Sequence, residues 1–125
     1  MTPVRLSLAA LGLMLATTAP GLAQDVQTAT CTGAVLRVLD KINGEVMDLE
    51  LRNGAGKAAW RIEVELGECR YPAGNPAGDA FSFVTLRQKG EAEPLFRGWM
   101  IASAPALNAL DHPRYDVWVI RCTTA

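Results

Sequence analysis

An all-β fold is what this sequence predicts: a small antiparallel sandwich or partly open barrel of about six strands, with one short helix before the last strand. Three observations point there. In AWRIEVEL, Trp60, Ile62, Val64 and Leu66 alternate with Arg61, Glu63 and Glu65, a period of two that buries one face of a strand and turns the other to water. Asn43-Gly44 and Asn53-Gly54 are dipeptides that accept positive φ at hairpin turns. The chain has 125 residues, enough for one core but not for a substrate domain plus a cofactor domain.

The N-terminus carries an address. Arg5 precedes an apolar run from Leu6 to about Ala19, followed by Gly21-Leu22-Ala23. A run of 14 residues is too short to span a bilayer comfortably, and small residues at Gly21 and Ala23 occupy the positions a signal peptidase requires. Residues 1–23 therefore read as a secretory signal peptide cleaved after Ala23, the expected location is the periplasm, and no stable membrane insertion is expected after cleavage. A lipoprotein is disfavoured, because Cys31 lies well beyond the apolar run and follows Thr-Ala-Thr. Cleavage leaves 102 residues carrying 11 basic and 13 acidic side chains. The basic residues are scattered singly, which argues against nucleic acid, where clustered Lys and Arg must displace counterions. No polybasic segment suits an anionic membrane surface.

Past a flexible stretch at 24–33, residues 34–125 read as a single β domain. AVLRVLD, EVMDLEL and AAWRIEVEL, joined by the two Asn-Gly turns, predict a three-strand antiparallel meander. CRYPAGNPAGD, at 69–79, holds two Pro and two Gly and reads as a loop. FSFVTLR and LFRGWMIA form a second pair of strands around the charged turn QKGEAEP. In SAPALNALD, Ser103 is placed to cap, Pro105 suits a first turn, and Ala104, Leu107 and Leu110 share a face, so a short helix is predicted. YDVWVIRC is apolar at both alternating sets of positions and is expected to be a central strand covered on both faces.

Export changes how Cys31, Cys69 and Cys122 are read, because disulfides form and persist outside the cytoplasm. Three single bridges are possible and the residues alone do not choose among them. Cys69 and Cys122 each stand at the end of a strand-like run, which favours that pair. Their bridge would close 53 residues and contribute about 4 kcal/mol on the chain-entropy model. Cys31 is then left over. No metal centre is expected: no two cysteines fall at metal-ligand spacing, and one His does not complete a tetrahedral zinc set. No cofactor motif is present either.

Candidate functional residues crowd the last fifth of the chain: Trp99, Asp111, His112, Tyr115 and Trp118. Buried aromatics dominate the energetics of small cores, so Trp60, Trp99 and Trp118 read first as core residues; an aromatic platform for sugar or peptide needs at least one exposed ring. Asp111 and His112 are adjacent, and neighbours in sequence do not ordinarily aim side chains at each other, whereas a general base needs a partner placed by the fold. Asp-His-Pro reads as a turn into the last strand, with Pro113 holding His112 extended. Ser82 and Ser103 lack the Gly-x-Ser-x-Gly elbow of a nucleophile. Glu63, Glu65, Asp79 and Asp111 are available as a carboxylate pair, whose separation decides any glycosidase chemistry.

The stretches FRGWMIASAPALNALDHPRYDVWVIRC, LRVLDKINGEVMDLEL and ELGECRYP resemble the domain of unknown function family numbered 2155, small exported proteins of alphaproteobacteria, from about Leu36 to Cys122. The resemblance implies a Cys after the third strand paired with one after the last, which falls on Cys69 and Cys122 and leaves Cys31 outside the shared pattern. It also implies an association with a membrane respiratory complex. The functional expectation is a noncatalytic binding or accessory module with a protein partner in the cell envelope. The alternative is a small hydrolase or a carbohydrate-active or carbohydrate-binding protein.

Overall fold

The computed structural model describes residues 27–124 together with the isolated positions 3, 12 and 16; the expected signal peptide and its cleavage site otherwise lie outside the described residues. Eight strands follow one another: β1 (Thr28–Thr30), β2 (Gly33–Asp40), β3 (Val46–Arg52), β4 (Gly56–Ala59), β5 (Ile62–Pro72), β6 (Phe81–Gln88), β7 (Pro94–Ile101) and β8 (Tyr115–Thr123). They form two antiparallel sheets that do not close into a barrel. The larger has the order β1-β5-β6-β7 with β4 also paired to β5; the smaller has the order β3-β2-β8. The all-β expectation holds, and the strand count exceeds the expected six by β1 and β4.

The core lies between the sheets. Leu36, Val38, Leu49, Leu51, Val117 and Val119 face it from the smaller sheet, and Ile62, Val64, Leu66, Val84, Leu86 and Met100 from the larger. The alternation in β5 does what its period implies: Ile62, Val64 and Leu66 are buried while Glu63 and Glu65 are exposed.

β4 arises because AAWRIEVEL is not one strand. Trp60 has φ 51°, and Ala59 pairs with Ile62 across the two-residue turn Trp60-Arg61. Positive φ at a residue with a Cβ costs roughly 1–2 kcal/mol. Packing offsets it, since the Trp60 indole stacks on Tyr115 at 6.0 Å with the rings 3° from parallel. Nothing in the alternation reveals this turn, because the period of two runs straight through it.

The expected meander is also corrected. β2 and β3 do pair through the first Asn-Gly, with Leu36 opposite Leu49 and Gly44 at φ 76°. At the second, Gly54 has φ 80°, but the chain crosses to the other sheet: the Gly54 N–H donates to the Leu66 carbonyl at 2.8 Å, and β5 pairs with β6 rather than β3. Two half-apolar hairpins bury more surface stacked face to face than extended edge to edge.

No helix forms between β7 and β8. Ser103 spends its capping groups on Asp79, donating its hydroxyl at 2.5 Å and its N–H at 2.9 Å. Asn108 donates its side-chain amide to the Trp99 carbonyl at 2.9 Å. Leu107 is 76% exposed while Leu110 is buried, so the supposed apolar stripe does not exist. A helix this short is marginal alone, and Ser and Asn side chains bonded elsewhere offer the backbone an alternative.

β8 is not central. It pairs only with β2 and ends the smaller sheet, leaving β2 in the middle. Its second apolar face carries Trp118 and Ile120, both half-buried; Trp118 is flanked by Pro105, Ala106 and Ala109 of the 103–114 connection. The structure starts earlier than the boundary expected at residue 34, for Thr28–Thr30 pair with Arg70–Pro72 and Cys31 is buried.

Candidate functional site

The fold gathers the three cysteines at one end of the sandwich. Cys31 joins β1 to β2, Cys69 lies on β5 and Cys122 on β8. Cys122 Sγ is at bonding distance from both Cys31 Sγ and Cys69 Sγ, with Cα–Cα separations of 6.1 and 5.9 Å. Backbone bonds hold the neighbours in place: the Cys31 N–H donates to the Cys69 carbonyl at 2.8 Å, and Asn53 straddles the two, its amide donating to the Cys31 carbonyl at 2.7 Å and its carbonyl accepting from the Cys69 N–H at 3.3 Å. The buried Ser82 hydroxyl donates to Cys69 Sγ at 3.0 Å. All three sulfurs lie within 4.8 Å of one another, the one such grouping of metal-capable side chains among the described residues. Cys31 is thus a member of the cluster rather than a leftover on a loose arm. Its odd count was legible in sequence; its company was not.

The 111–115 segment is a corner. Asp111 is exposed, and no side-chain bond joins it to His112 among the described residues. His112 Nδ1 accepts from the backbone N–H of Arg114 at 3.0 Å and of Tyr115 at 3.1 Å, and so organises the entry into β8. The His112 carbonyl accepts from Lys41 Nζ at 2.6 Å. Tyr115 is 1% exposed, held between Trp60 at 6.0 Å and the His112 ring at 5.3 Å, with the Arg114 guanidinium 5.4 Å from its ring centre. Next to it lies Asp40, which the sequence did not single out: its carboxylate accepts from Arg114 Nη2 at 2.9 Å and Nε at 3.1 Å and from the Ile42 N–H at 3.0 Å. These are latches between the end of β2, the 41–45 turn and the start of β8. His112→Ala is expected to lower unfolding stability by about 1–2 kcal/mol in urea titration, the cost of orphaning two half-buried donors, while leaving function untouched in a complementation assay.

Trp99 differs from the other two Trp residues. It lies on β7, the edge of the larger sheet, on the face turned away from the core, and is 39% exposed. Register sets its neighbours: Phe83 is opposite Trp99 and Thr85 opposite Arg97, while Glu65 is opposite Thr85 on the other side. Phe83 meets Trp99 edge to face at 5.4 Å, and the Arg97 guanidinium sits 5.7 Å from the Phe83 ring centre. Gly67 leaves room for this, since a Cβ there would meet the Phe83 ring at 3.1 Å. Leu95 is also exposed on this strand, and Arg87 bonds Glu65 at 2.9 Å alongside. The outer face of β6–β7 is thus an aromatic patch rimmed by charge. Phe83 and Arg97 could have been found from the period of two in FSFVTLR and LFRGWMIA; their pairing with Trp99 needed the register.

A family model described as an uncharacterized protein conserved in bacteria, domain of unknown function 2155, matches residues 34–122, which is the domain from β2 to the last cysteine. The chain belongs to this family. A Rickettsia prowazekii (strain Madrid E) protein, named uncharacterized protein RP359, is 27% identical over 94 residues, covering 73% of this chain and 61% of the relative. The chain therefore spans about three-fifths of that relative's length. No solved structure matches. Cys31 lies outside the span matched by the family model, although it touches the cysteine that closes it.

Proposed function

We propose that this member of the domain of unknown function 2155 family is an exported, noncatalytic binding or accessory module of the cell envelope, and that it docks a protein partner through the outer face of β6 and β7. The observation that carries this reading is the exposed Trp99 packed on Phe83 beside Arg97: aromatic and Arg side chains are the ones most enriched among residues that dominate binding energy. Two of the rival acid–base groups serve the architecture: His112 Nδ1 accepts two backbone bonds, and Asp79 is bound by Ser103 and Ala80. Subunits of a membrane respiratory complex are the partner class that the family resemblance implies.

The test is a pull-down from gently solubilised envelopes with tagged mature protein and its Trp99→Ala variant. Stoichiometric envelope subunits on the wild type, reduced at least tenfold on Trp99→Ala, are expected. The variant should retain its fold, with unfolding stability lowered by no more than about 1 kcal/mol, because the ring contacts one aromatic neighbour at the surface. Equal recovery on both proteins would remove this face from the interface. An exposed indole beside Arg also suits a sugar ring; retention of the wild type on cell-wall polysaccharide, with no protein recovered, would favour that carbohydrate-binding reading.

A further inference from the structure

We propose that Cys31, Cys69 and Cys122 form a thiol–disulfide exchange site, in which one disulfide moves between Cys31–Cys122 and Cys69–Cys122 on a single backbone. The proposal rests on the export reading in one respect, that the chain carries one oxidised pair. A sulfur makes one disulfide, so three cysteines around a shared Cys122 leave one thiol in every molecule. Both Cα–Cα separations, 6.1 and 5.9 Å, fall in the range a disulfide spans without backbone movement, about 4.4–6.8 Å. The bond from the Cys31 N–H to the Cys69 carbonyl and the double clasp of Asn53 keep the two competing cysteines side by side.

The step balances internally. The unpaired cysteine loses its proton and its thiolate attacks Cys122 Sγ; the existing S–S bond breaks as the new one forms; the displaced sulfur leaves as a thiolate and takes up a proton. No oxidant or reductant is consumed. Ser82 biases the outcome, because its hydroxyl, 3.0 Å from Cys69 Sγ, is a better donor to a free thiol or thiolate than to a bridged sulfur, and so favours the state in which Cys69 is unpaired. The two states place the tether differently. Cys69–Cys122 ties β5 of the larger sheet to β8 of the smaller, whereas Cys31–Cys122 ties β8 to the β1–β2 junction, where β1 belongs to the larger sheet and β2 is already paired with β8 through Ala34 and Cys122. Exchange therefore moves the tether on the larger sheet between β5 and the end of β1.

The test uses the whole mature chain equilibrated at pH 8 in a glutathione redox buffer, quenched in acid, alkylated under denaturing conditions and mapped by mass spectrometry after digestion at low pH. Both linkages are expected, each in at least a tenth of the molecules and each with the complementary cysteine alkylated. Ser82→Ala should raise the ratio of Cys69–Cys122 to Cys31–Cys122 at least twofold. Cys31→Ser and Cys69→Ser should each give one pure linkage, with faster amide exchange at residues 66–72 in Cys69→Ser. A single linkage in the wild type under all buffers would overturn the exchange while leaving export intact. Three free thiols, or three thiolates holding a stoichiometric metal ion, in protein taken directly from the periplasm would overturn both the exchange and the oxidised state it needs.

Discussion

Cys122→Ser is expected to lower unfolding stability by about 4 kcal/mol, while Cys31→Ser and Cys69→Ser each cost only about 1 kcal/mol. The asymmetry follows from geometry. Cys122 is the sulfur at bonding distance from both others, so its loss removes both of those bridges at once. The loops at stake are similar, 91 and 53 residues, and on the chain-entropy model each constrains the unfolded chain by about 4–5 kcal/mol. Removing Cys31 or Cys69 leaves the alternative bridge, and what is lost is packing. For Cys69, buried at 0% exposure, the serine hydroxyl can pair with Ser82, which limits that loss. Against a typical total of 5–15 kcal/mol, this is a large share of the domain's stability. Urea titrations of the three variants decide it; equal losses for Cys122→Ser and Cys69→Ser would mean that Cys31 does not substitute.

Arg114→Ala should lower the melting temperature at pH 7 by roughly 10 °C, a large shift for a domain of about 100 residues, and the gap should close as pH falls below about 4. In the native protein the hydrogen bonds from Arg114 hold the Asp40 carboxyl below its ordinary value of 3.8. A carboxyl depressed in the folded state contributes stability that is fully present above the unfolded value and is lost as pH falls through the folded one. Without Arg114, the Asp40 side chain, 1% exposed, loses the donor that lowers its carboxyl most, and with it the stability that this lowering contributes. The variant's deficit is fully present above the unfolded value and shrinks as pH falls through the folded value of the wild type, so the curves converge. Adding Asp40→Asn to Arg114→Ala should flatten the variant's response through this range. Asp48 beside Arg37 is also held low, and so is Asp79, where bonds from Ser103 and Ala80 outweigh burial; both contribute to the acid limb common to all the proteins.

The candidate surface was half legible. Trp99 stood out as a residue type, but the same reading applied equally to Trp60 and Trp118, and the fold separates them: Trp60 stacks on Tyr115, Trp118 lines a cleft with Pro105, Ala106 and Ala109 of the 103–114 connection, and Trp99 faces outward on an edge strand. His112 looked like chemistry because of Asp111, yet its partners are the backbone N–H groups two and three residues on, a local turn that Pro113 already hinted at. Asp40 and Arg114 are 74 residues apart, and no spacing rule connects such a pair.

By itself the sequence determined the local period, the positive-φ glycines and hence most of the strands, because alternation and turn chemistry are set within a few residues. Seven of the eight strands overlap runs read from the alternation, β4 and β5 sharing one of them. Only the tertiary structure decided which hairpin faces which, that the chain changes sheets at Gly54, that Trp60 is a turn, that residues 103–114 prefer side-chain tethers to a helix, and that Cys31 joins the other two cysteines. Each of these outcomes rests on contacts between residues far apart in the chain, where burial of an apolar face or satisfaction of a buried donor outweighs local preference.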